Sequence, residues 1–389
     1  MEFELNEEQQ ILREEVRKFL EAEIRPLDDE WGDVEMTADR AREFCKKLIP
    51  WGYMGGGVAE LGVERDATVG CILNEELARV FPALGGVSGM TSGTAAGISM
   101  GGHPEVAARL VEPLRQSDLI GCNAFTEPNA GSDPSGIECR AEKKGDRWIV
   151  NGAKAWISNG HIADVAIVLV QTDPSKGAAG FRQLVIDRRE SPFESRDTPT
   201  IGLRAFPTSE LWFNDVEVPE INTIGGWKQG AGGVDPATAF ARTLAAIAGV
   251  RAGTALMSVG IAQRAFDLAL DYVKQRRQFG KEIARHQMVS AMIADMATDI
   301  DASRLLCYRA LHKRGRPEVE ASMAKAFATE AAVRVCSTAM QCMGANGLAT
   351  ENRVERCLRD ARMLTIPDGT TQIQKLIVGR ALTGMSAIR

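Results

Sequence analysis

RWIVNGAKAWIS, residues 147–158, is where the pattern of this chain changes. Hydrophobic residues flank Asn151-Gly152, a pair that readily adopts the left-handed backbone of a two-residue turn, so the stretch predicts a β-hairpin centred there. ADVAIVLVQTD (163–173) reads as a buried strand and FRQLVID (181–187) as another. SELWFNDVEVP (209–219) places Leu211 and Phe213 in alternation before a proline stop. A β domain over 119–228 follows.

Outside that window the period is helical. Asn6 with Gln9 three residues on forms a capping-box start, and Ile11, Leu12, Val16, Phe19 and Leu20 fall on one predicted face. Further helices are predicted near 38–50, 67–80 and 104–115, which makes 1–118 an N-terminal α-helical domain. Between them, ALGGVSGMTSGTAAGISMGG (83–102) is so rich in small residues that a helix there needs a reason: a tight crossing, or a wall left open for something bulky. After the connection GGWKQGAGG (225–233), long helices resume through 229–389. Their apolar residues cover several faces, as in a bundle that also packs on a partner chain.

Composition narrows the class. The chain has 389 residues, 44% hydrophobic and 25% charged, with net charge −6 and no long basic block, so no nucleic-acid partner is expected. No apolar run approaches the ~20 residues of a membrane span. The polar, acidic start MEFELNEEQQ lacks a secretory pattern, and a cytoplasmic location is the expectation. Eight scattered cysteines without a CxxC pair are read as reduced, mostly buried thiols, and four dispersed histidines give no metal signature. No strand–GxGxxG–helix unit, P-loop ending or GxSxG elbow occurs, so a Rossmann dinucleotide site, an NTPase and a serine hydrolase are unsupported.

The order of AFTEPNAGSD (124–133), KAWISN (154–159), RRQFGKEIARHQ (276–287), QCMGANG (341–347) and RDARMLTIPDGTTQIQKLIVGR (359–380) resembles the acyl-CoA dehydrogenase family across essentially the whole chain. The resemblance implies an α+β multidomain fold in which a middle β-barrel-like domain lies between the N-terminal helices and a C-terminal four-helix bundle. It implies non-covalent FAD, an acyl-CoA substrate, an electron-transfer flavoprotein as acceptor, and a homotetramer built as a dimer of dimers. By the same resemblance, Phe125, Thr126, Trp156 and Ser158 would line the flavin ring, and Ser132 would lie near the pyrophosphate. Arg276, Phe279, Gln287, Gln341 and Gly344 would hold the ADP half across a dimer, and Thr370 and Gln372 would meet FAD of their own subunit. Arg251, Gly369 and Ser132 would contact substrate. Gln278 and Ala345 depart from the family pattern.

IPDGTT (366–371) carries the chemistry. Most family members place a glutamate where Asp368 stands, and a minority place the base just before an arginine that corresponds to Arg251, where this chain has Val250. Asp368 is therefore assigned as the base that removes the α-proton of a thioester, with its backbone N–H donating to the thioester oxygen. The alternative is an aspartate capping the following helix. Aspartate is one methylene shorter than glutamate, which retracts the carboxylate by ~1.5 Å. Together with Pro367 and the small residues of 83–102, this points to a wide or cyclic acyl group, and Asp-Gly-Thr resembles members acting on alicyclic esters such as cyclohexanecarboxyl-CoA. Ala248 replaces the acidic residue common three positions before Arg251, which leaves CoA recognition open. Competing readings are a nitroalkane-oxidising relative, an enoyl-CoA reductase working in the opposite direction, a flavin monooxygenase without a base, and a silent helical scaffold.

Overall fold

The computed structural model describes residues 4–225, 236–313 and 318–387, so most of the 225–233 connection lies outside the described residues. The N-terminal helices are α1 (Glu7–Phe19), α2 (Arg25–Trp31), α3 (Ala38–Leu48), α4 (Ala67–Val80), α5 (Pro82–Gly101) and α6 (Pro104–Arg115). The capping box at the start of α1 is formed: Gln9 N donates to Asn6 Oδ1 at 2.9 Å, and Asn6 N donates to Gln9 Oε1 at 3.1 Å. Leu12, Val16 and Leu20 are buried, but Ile11 is 52% exposed. The expected face was drawn too wide, because the buried stripe here follows a strict four-residue step.

The small residues of α5 serve two faces. A Cβ at Gly86 would stand 2.6 Å from the Phe206 ring, and one at Gly97 would stand 3.0 Å from Ile167, which is the signature of a tight crossing. At Gly89 and Gly93 nothing lies within 4 Å of that position. The tight-crossing reading of the segment thus has a structural counterpart, and Gly89 and Gly93 lie on the exposed face of the same helix.

The middle of the chain forms an eight-stranded sheet: β1 (Gly121–Ala124), β2 (Arg140–Lys144), β3 (Arg147–Ser158), β4 (Val165–Gln171), β5 (Phe181–Asp187), β6 (Glu194–Asp197), β7 (Thr208–Pro219) and β8 (Thr223–Ile224). Its order is β6-β7-β3-β2-β4-β5-β8, with β1 paired parallel to β4. The barrel-like expectation is therefore corrected. The short strands β6 and β8 end the path without pairing to each other, and β2 joins β4 at only the Arg140–Gln171 pair. Every residue of β4 is buried, because Val165 and Ile167 pack toward α5 and α6 while Ala166, Val168 and Val170 face the sheet's own core.

The hairpin centred on Asn151-Gly152 is also corrected. The chain runs straight through as β3, and the β2–β3 turn falls at Gly145-Asp146, with Gly145 at φ 64° and Lys144 paired to Arg147. Asn151-Gly152 instead faces a β-bulge: Val150 pairs with Val216 whereas Gly152 pairs with Phe213, which leaves an extra residue on β7. Asn151 pins that bulge by exchanging two 2.9 Å bonds with Asp215, one to its side chain and one from its backbone N–H. Gly152 is required because a Cβ would stand 2.7 Å from Cys139 Cα. Residues favoured in turns also suit bulges, and the local pattern does not separate the two.

The C-terminal helices are α7 (Pro236–Gln275), α8 (Gln287–His312), α9 (Glu318–Met343), α10 (Val354–Leu364) and α11 (Thr371–Thr383). α7, α8 and α9 pack on one another, α10 and α11 pack on α9, and α4 of the N-terminal set packs on α7. One continuous core runs through both helical sets and includes Leu12, Leu73, Leu256, Val259, Ala324 and Val335. Buried Asp28 on α2 accepts from Arg264 at 2.9 Å and also from Arg356, tying α2 to α7 and α10. The eight cysteines are free and buried.

Asp360 on α10 links the sheet domain to this helical body, accepting the Leu203 N–H at 2.6 Å. Burial pushes its carboxyl up from 3.8 to about 6. A raised acid stabilises the fold below its unfolded value, and that contribution is lost as pH rises through about 6. Asp360→Asn removes this ionisation, so the melting temperature of the variant relative to the parent is expected to climb between pH 4 and 7. At full effect the change corresponds to roughly 3 kcal/mol; a flat difference across that range contradicts the assignment.

Candidate active site

α10 ends at Leu364 and α11 begins at Thr371, and the turn between them carries Asp368 with φ 57° and Gly369 with φ 93°. The N-cap of α11 is Thr370, whose hydroxyl accepts from Ile373 N. The capping role open to Asp368 in the sequence is thus taken by its neighbour. A non-glycine residue at positive φ costs of order 1–3 kcal/mol and persists only where its surroundings impose it.

Those surroundings come from three helices. Arg251 Nε on α7 donates to the Asp368 carbonyl at 3.1 Å, and Gln374 Nε2 on α11 donates to the carbonyls of Asp368 and Gly369 at 3.0 and 2.9 Å. Lys325 Nζ on α9 donates to the carbonyls of Thr365 and Gly369, both at 2.9 Å. The carboxylate is held separately: Thr254 Oγ1 on α7 donates to Asp368 Oδ2 at 2.7 Å. Burial depresses the pKa of Arg251, and its Nη1 is buried without a hydrogen bond, the nearest carboxylate being Glu318 at 4.0 Å. A buried guanidinium nitrogen lacking an acceptor fits a site that binds an oxygen-bearing ligand.

A second group forms on the sheet domain. Lys154 is fully buried and donates to the Phe125 carbonyl at 3.1 Å and to Glu127 Oε1 at 2.7 Å, while Ala155 N donates to the Thr126 carbonyl at 3.0 Å. Glu127 also accepts the N–H groups of Glu138 and Cys139. These bonds lock Phe125 and Thr126 beside β3. Lys154 pairs with Leu211 whereas Ile157 pairs with Ser209, so β3 has its own bulge, and Trp156 occupies it at φ 61° with 62% exposure. A bulge aims a side chain out of the pleat, and here it presents an indole to the outside. Ser158 is half-buried beside it, and Ser132 is exposed on the 124–133 loop. An outward aromatic plane together with the hydroxyls of Thr126, Ser132 and Ser158 fits a flat ring carrying a polar tail, as FAD does.

The third group stands apart. Arg276, Phe279 and Gln287 lie between α7 and α8, where Phe279 tops a tight hairpin at φ 52° and is 93% exposed. Gln341 and Gly344 close α9 at the same end, since Asn346 Nδ2 bonds Tyr272 Oη at 2.8 Å. From Lys325, Gln341 is about 24 Å along α9 at 1.5 Å per residue. The chain therefore brings Asp368, Gly369, Thr370 and Arg251 together, with Gln372 exposed on the first turn of α11, and gathers Phe125, Thr126, Trp156 and Ser158. It does not bring the Arg276 group to Asp368.

Thr254, Lys325, Gln374 and Lys154 were not identified from the sequence. The available signal was a lysine within the alanine-rich ASMAKAFATEAA helix and a threonine one turn beyond Arg251. Elsewhere, among the described residues, Glu35, His161 and Asp197 cluster. The imidazole points Nε2 at Glu35 (3.2 Å) and Nδ1 at Asp197 (3.6 Å), one carboxylate per nitrogen.

Comparison with known proteins covers the whole chain. Profiles of the acyl-CoA dehydrogenase N-terminal, middle and C-terminal domains match residues 6–118, 122–216 and 240–383. The chain is 36% identical to the cyclohex-1-ene-1-carbonyl-CoA dehydrogenase of Syntrophus aciditrophicus, over 97% of this chain and 91% of that protein. It superposes on a glutaryl-coenzyme A dehydrogenase in complex with glutaryl-CoA with a TM-score of 0.89 at 33% identity, covering 100% of this chain and 98% of the other. It superposes on a Mycobacterium smegmatis glutaryl-CoA dehydrogenase in complex with FADH2 with a TM-score of 0.85 at 25% identity, covering 99% and 97%.

Because Glu127 is buried with Lys154 as its cation, Lys154→Met is expected to destabilise the protein by about 3–5 kcal/mol in chemical denaturation. An unchanged unfolding midpoint would show that the two backbone donors alone satisfy Glu127.

Proposed function

This chain belongs to the acyl-CoA dehydrogenase family, and on that premise we propose that Asp368 is the base that takes the α-proton of a bound acyl-CoA thioester. FAD, when bound, supplies the acceptor for the β-hydrogen as hydride. Asp368 Oδ2 is held by Thr254, which leaves the other carboxylate oxygen to receive the proton. The strained turn aims the Asp368 backbone N–H at the thioester oxygen, where negative charge develops as the proton leaves. Trp156 and Ser158 would cover the reacting region and exclude water, and Thr126 and Ser132 would hold FAD by donating to its polar groups. Arg251 and Gly369 flank the substrate head, with the unsatisfied Nη1 of Arg251 available to an acceptor. The observation that carries this reading is Asp368 itself, an acid kept in a left-handed backbone while Thr370 supplies the helix cap.

The substrate class we infer is an alicyclic acyl-CoA such as cyclohexanecarboxyl-CoA. Three features support it: the shorter acid, the open positions beside Gly89 and Gly93 on α5, and a relative named for a six-membered ring ester. Oxidation is the direction adopted, with an electron-transfer flavoprotein as acceptor. The Arg276, Phe279, Gln287, Gln341 and Gly344 group is assigned to the ADP half of FAD in a second subunit, because it stands remote from Asp368 in its own chain. Exposed Phe279 and Met288, which lie with this group at the junction of α7 and α8, support a dimer, and a tetramer of two such dimers. The domains are placed at 1–118, 119–228 and 229–389.

Anaerobic bleaching of the flavin absorbance tests the reading. Asp368→Ala is expected to keep its FAD and lose bleaching by a factor of about 100 to 10,000. The parent is expected to bleach faster with cyclohexanecarboxyl-CoA than with butyryl- or octanoyl-CoA. Bleaching that survives in the variant overturns the base, and faster reaction of the straight chains overturns the substrate class.

A further inference from the structure

Lys325 is 0% exposed, yet no carboxylate lies within hydrogen-bonding distance of its Nζ among the described residues. Its two acceptors are the carbonyls of Thr365 and Gly369, one at the exit of α10 and the other immediately after Asp368. A single ammonium therefore spans the turn that carries the acid, from a helix that is not part of that turn. The charges around it are the Asp368 carboxylate from the turn, Glu330 one turn further along α9, and the Arg251 guanidinium from α7. Glu330 is itself engaged by the Thr371 hydroxyl at 2.7 Å, and α11 contributes the Gln374 amide to one of these two carbonyls, that of Gly369, and to the carbonyl of Asp368. An apolar side chain of similar length would fill this volume without the cost of burying a charge, so stability alone does not account for a lysine here.

We infer, on the reading that Asp368 is the base, that Lys325 is a positioning residue that fixes the Asp368 turn in its ammonium form, so that proton abstraction slows when that ammonium loses its proton. Charge-assisted bonds to carbonyls are roughly twice as strong as neutral ones. A neutral amine would hold both carbonyls less firmly and release the backbone N–H and carboxylate of Asp368 together. Displacements of about 1 Å in such a pair cost on the order of 100-fold in rate. Burial pushes the Lys325 pKa down from 10.5 to about 8, which places the change within reach of ordinary assays. The sign for stability is opposite to that for rate. The cost of burying the charged amine is present below about 8 and is relieved above it, so this group makes the fold more stable as pH rises while making the turn looser.

The test uses FAD-loaded parent, Lys325→Met, Lys325→Arg and Asp368→Asn proteins. Each is mixed anaerobically with cyclohexanecarboxyl-CoA between pH 6 and 10, and each is melted across the same range. In the parent the flavin-reduction rate is expected to fall as pH rises through about 8. Lys325→Met is expected to reduce flavin about 10- to 100-fold more slowly at pH 7, with substrate Kd changed less than about threefold and no inflection near that pH. Lys325→Arg should recover part of the rate and shift the inflection upward. The melting temperature of the parent should rise relative to Lys325→Met between about pH 8 and 10. Parental rates in Lys325→Met overturn the proposal, as does an inflection retained in both variants. Should Lys325→Met fail to load FAD, a parental rate that stays flat from pH 7 to 9 overturns it equally. Surviving reduction in Asp368→Asn would remove the base itself, whereas loss in Asp368→Asn with full rate in Lys325→Met removes only the role of the lysine.

Discussion

The site depends on a turn whose backbone is unfavourable for the residue it carries. Asp368 sits at positive φ, a region that costs energy for any residue but glycine, in a turn closed locally by the Thr371 N–H to Thr365 carbonyl bond. The restraint comes from Arg251, Lys325 and Gln374, which reach the turn's carbonyls from α7, α9 and α11. α7 and α9 hold their mutual distance because they share an apolar core that runs from α1 and α4, and α11 packs on α9. The long helices thus convert nondirectional burial into the placement of one acid and one backbone donor.

The group on the sheet domain is built by other means. In the sheet domain two bulges in the β3–β7 pair redirect the strand, one braced by Asn151 and Asp215 and the other turning Trp156 outward. The Lys154–Glu127 pair fixes the neighbouring loop from beneath. Asn159 Nδ2 donates to the Val87 and Gly121 carbonyls, so the far end of KAWISN is fastened to α5, and Asp360 secures the 198–207 segment to α10. Left-handed backbone occurs at Trp156, Phe279 and Asp368, one in each of the three candidate groups, and also at Ser117, Asn159, Leu203, Asp215 and Arg353 outside them.

Much of this was legible in the sequence. Helix patterning located α1, α3, α4, α6 and the long C-terminal helices, and apolar runs located β4, β5 and β7. The barrel expectation failed because closure depends on pairing between strands far apart in sequence, and strand pattern says nothing about which edges meet. Asn151-Gly152 misled because the pair permits a bulge as readily as a turn. Ile11 was misplaced because amphipathic spacing alone does not fix how wide a buried stripe is. Asp368 could be singled out from the order of the segments around it, whereas Thr254, Lys325 and Gln374 could not. Each acts through a bond to a residue remote in sequence or hidden by the turn, and a lysine in an alanine-rich helix reads as a solvated one until the helix is packed.

The most direct measurement is a crystal structure of the FAD-loaded protein with an unreactive alicyclic acyl-CoA analogue. The account predicts an Asp368 carboxylate oxygen about 3–3.5 Å from the carbon next to the thioester, on the face away from the flavin. It also predicts the Asp368 N–H directed at the thioester oxygen. A side chain at 368 turned into solvent, or a different acid against that carbon, would contradict it.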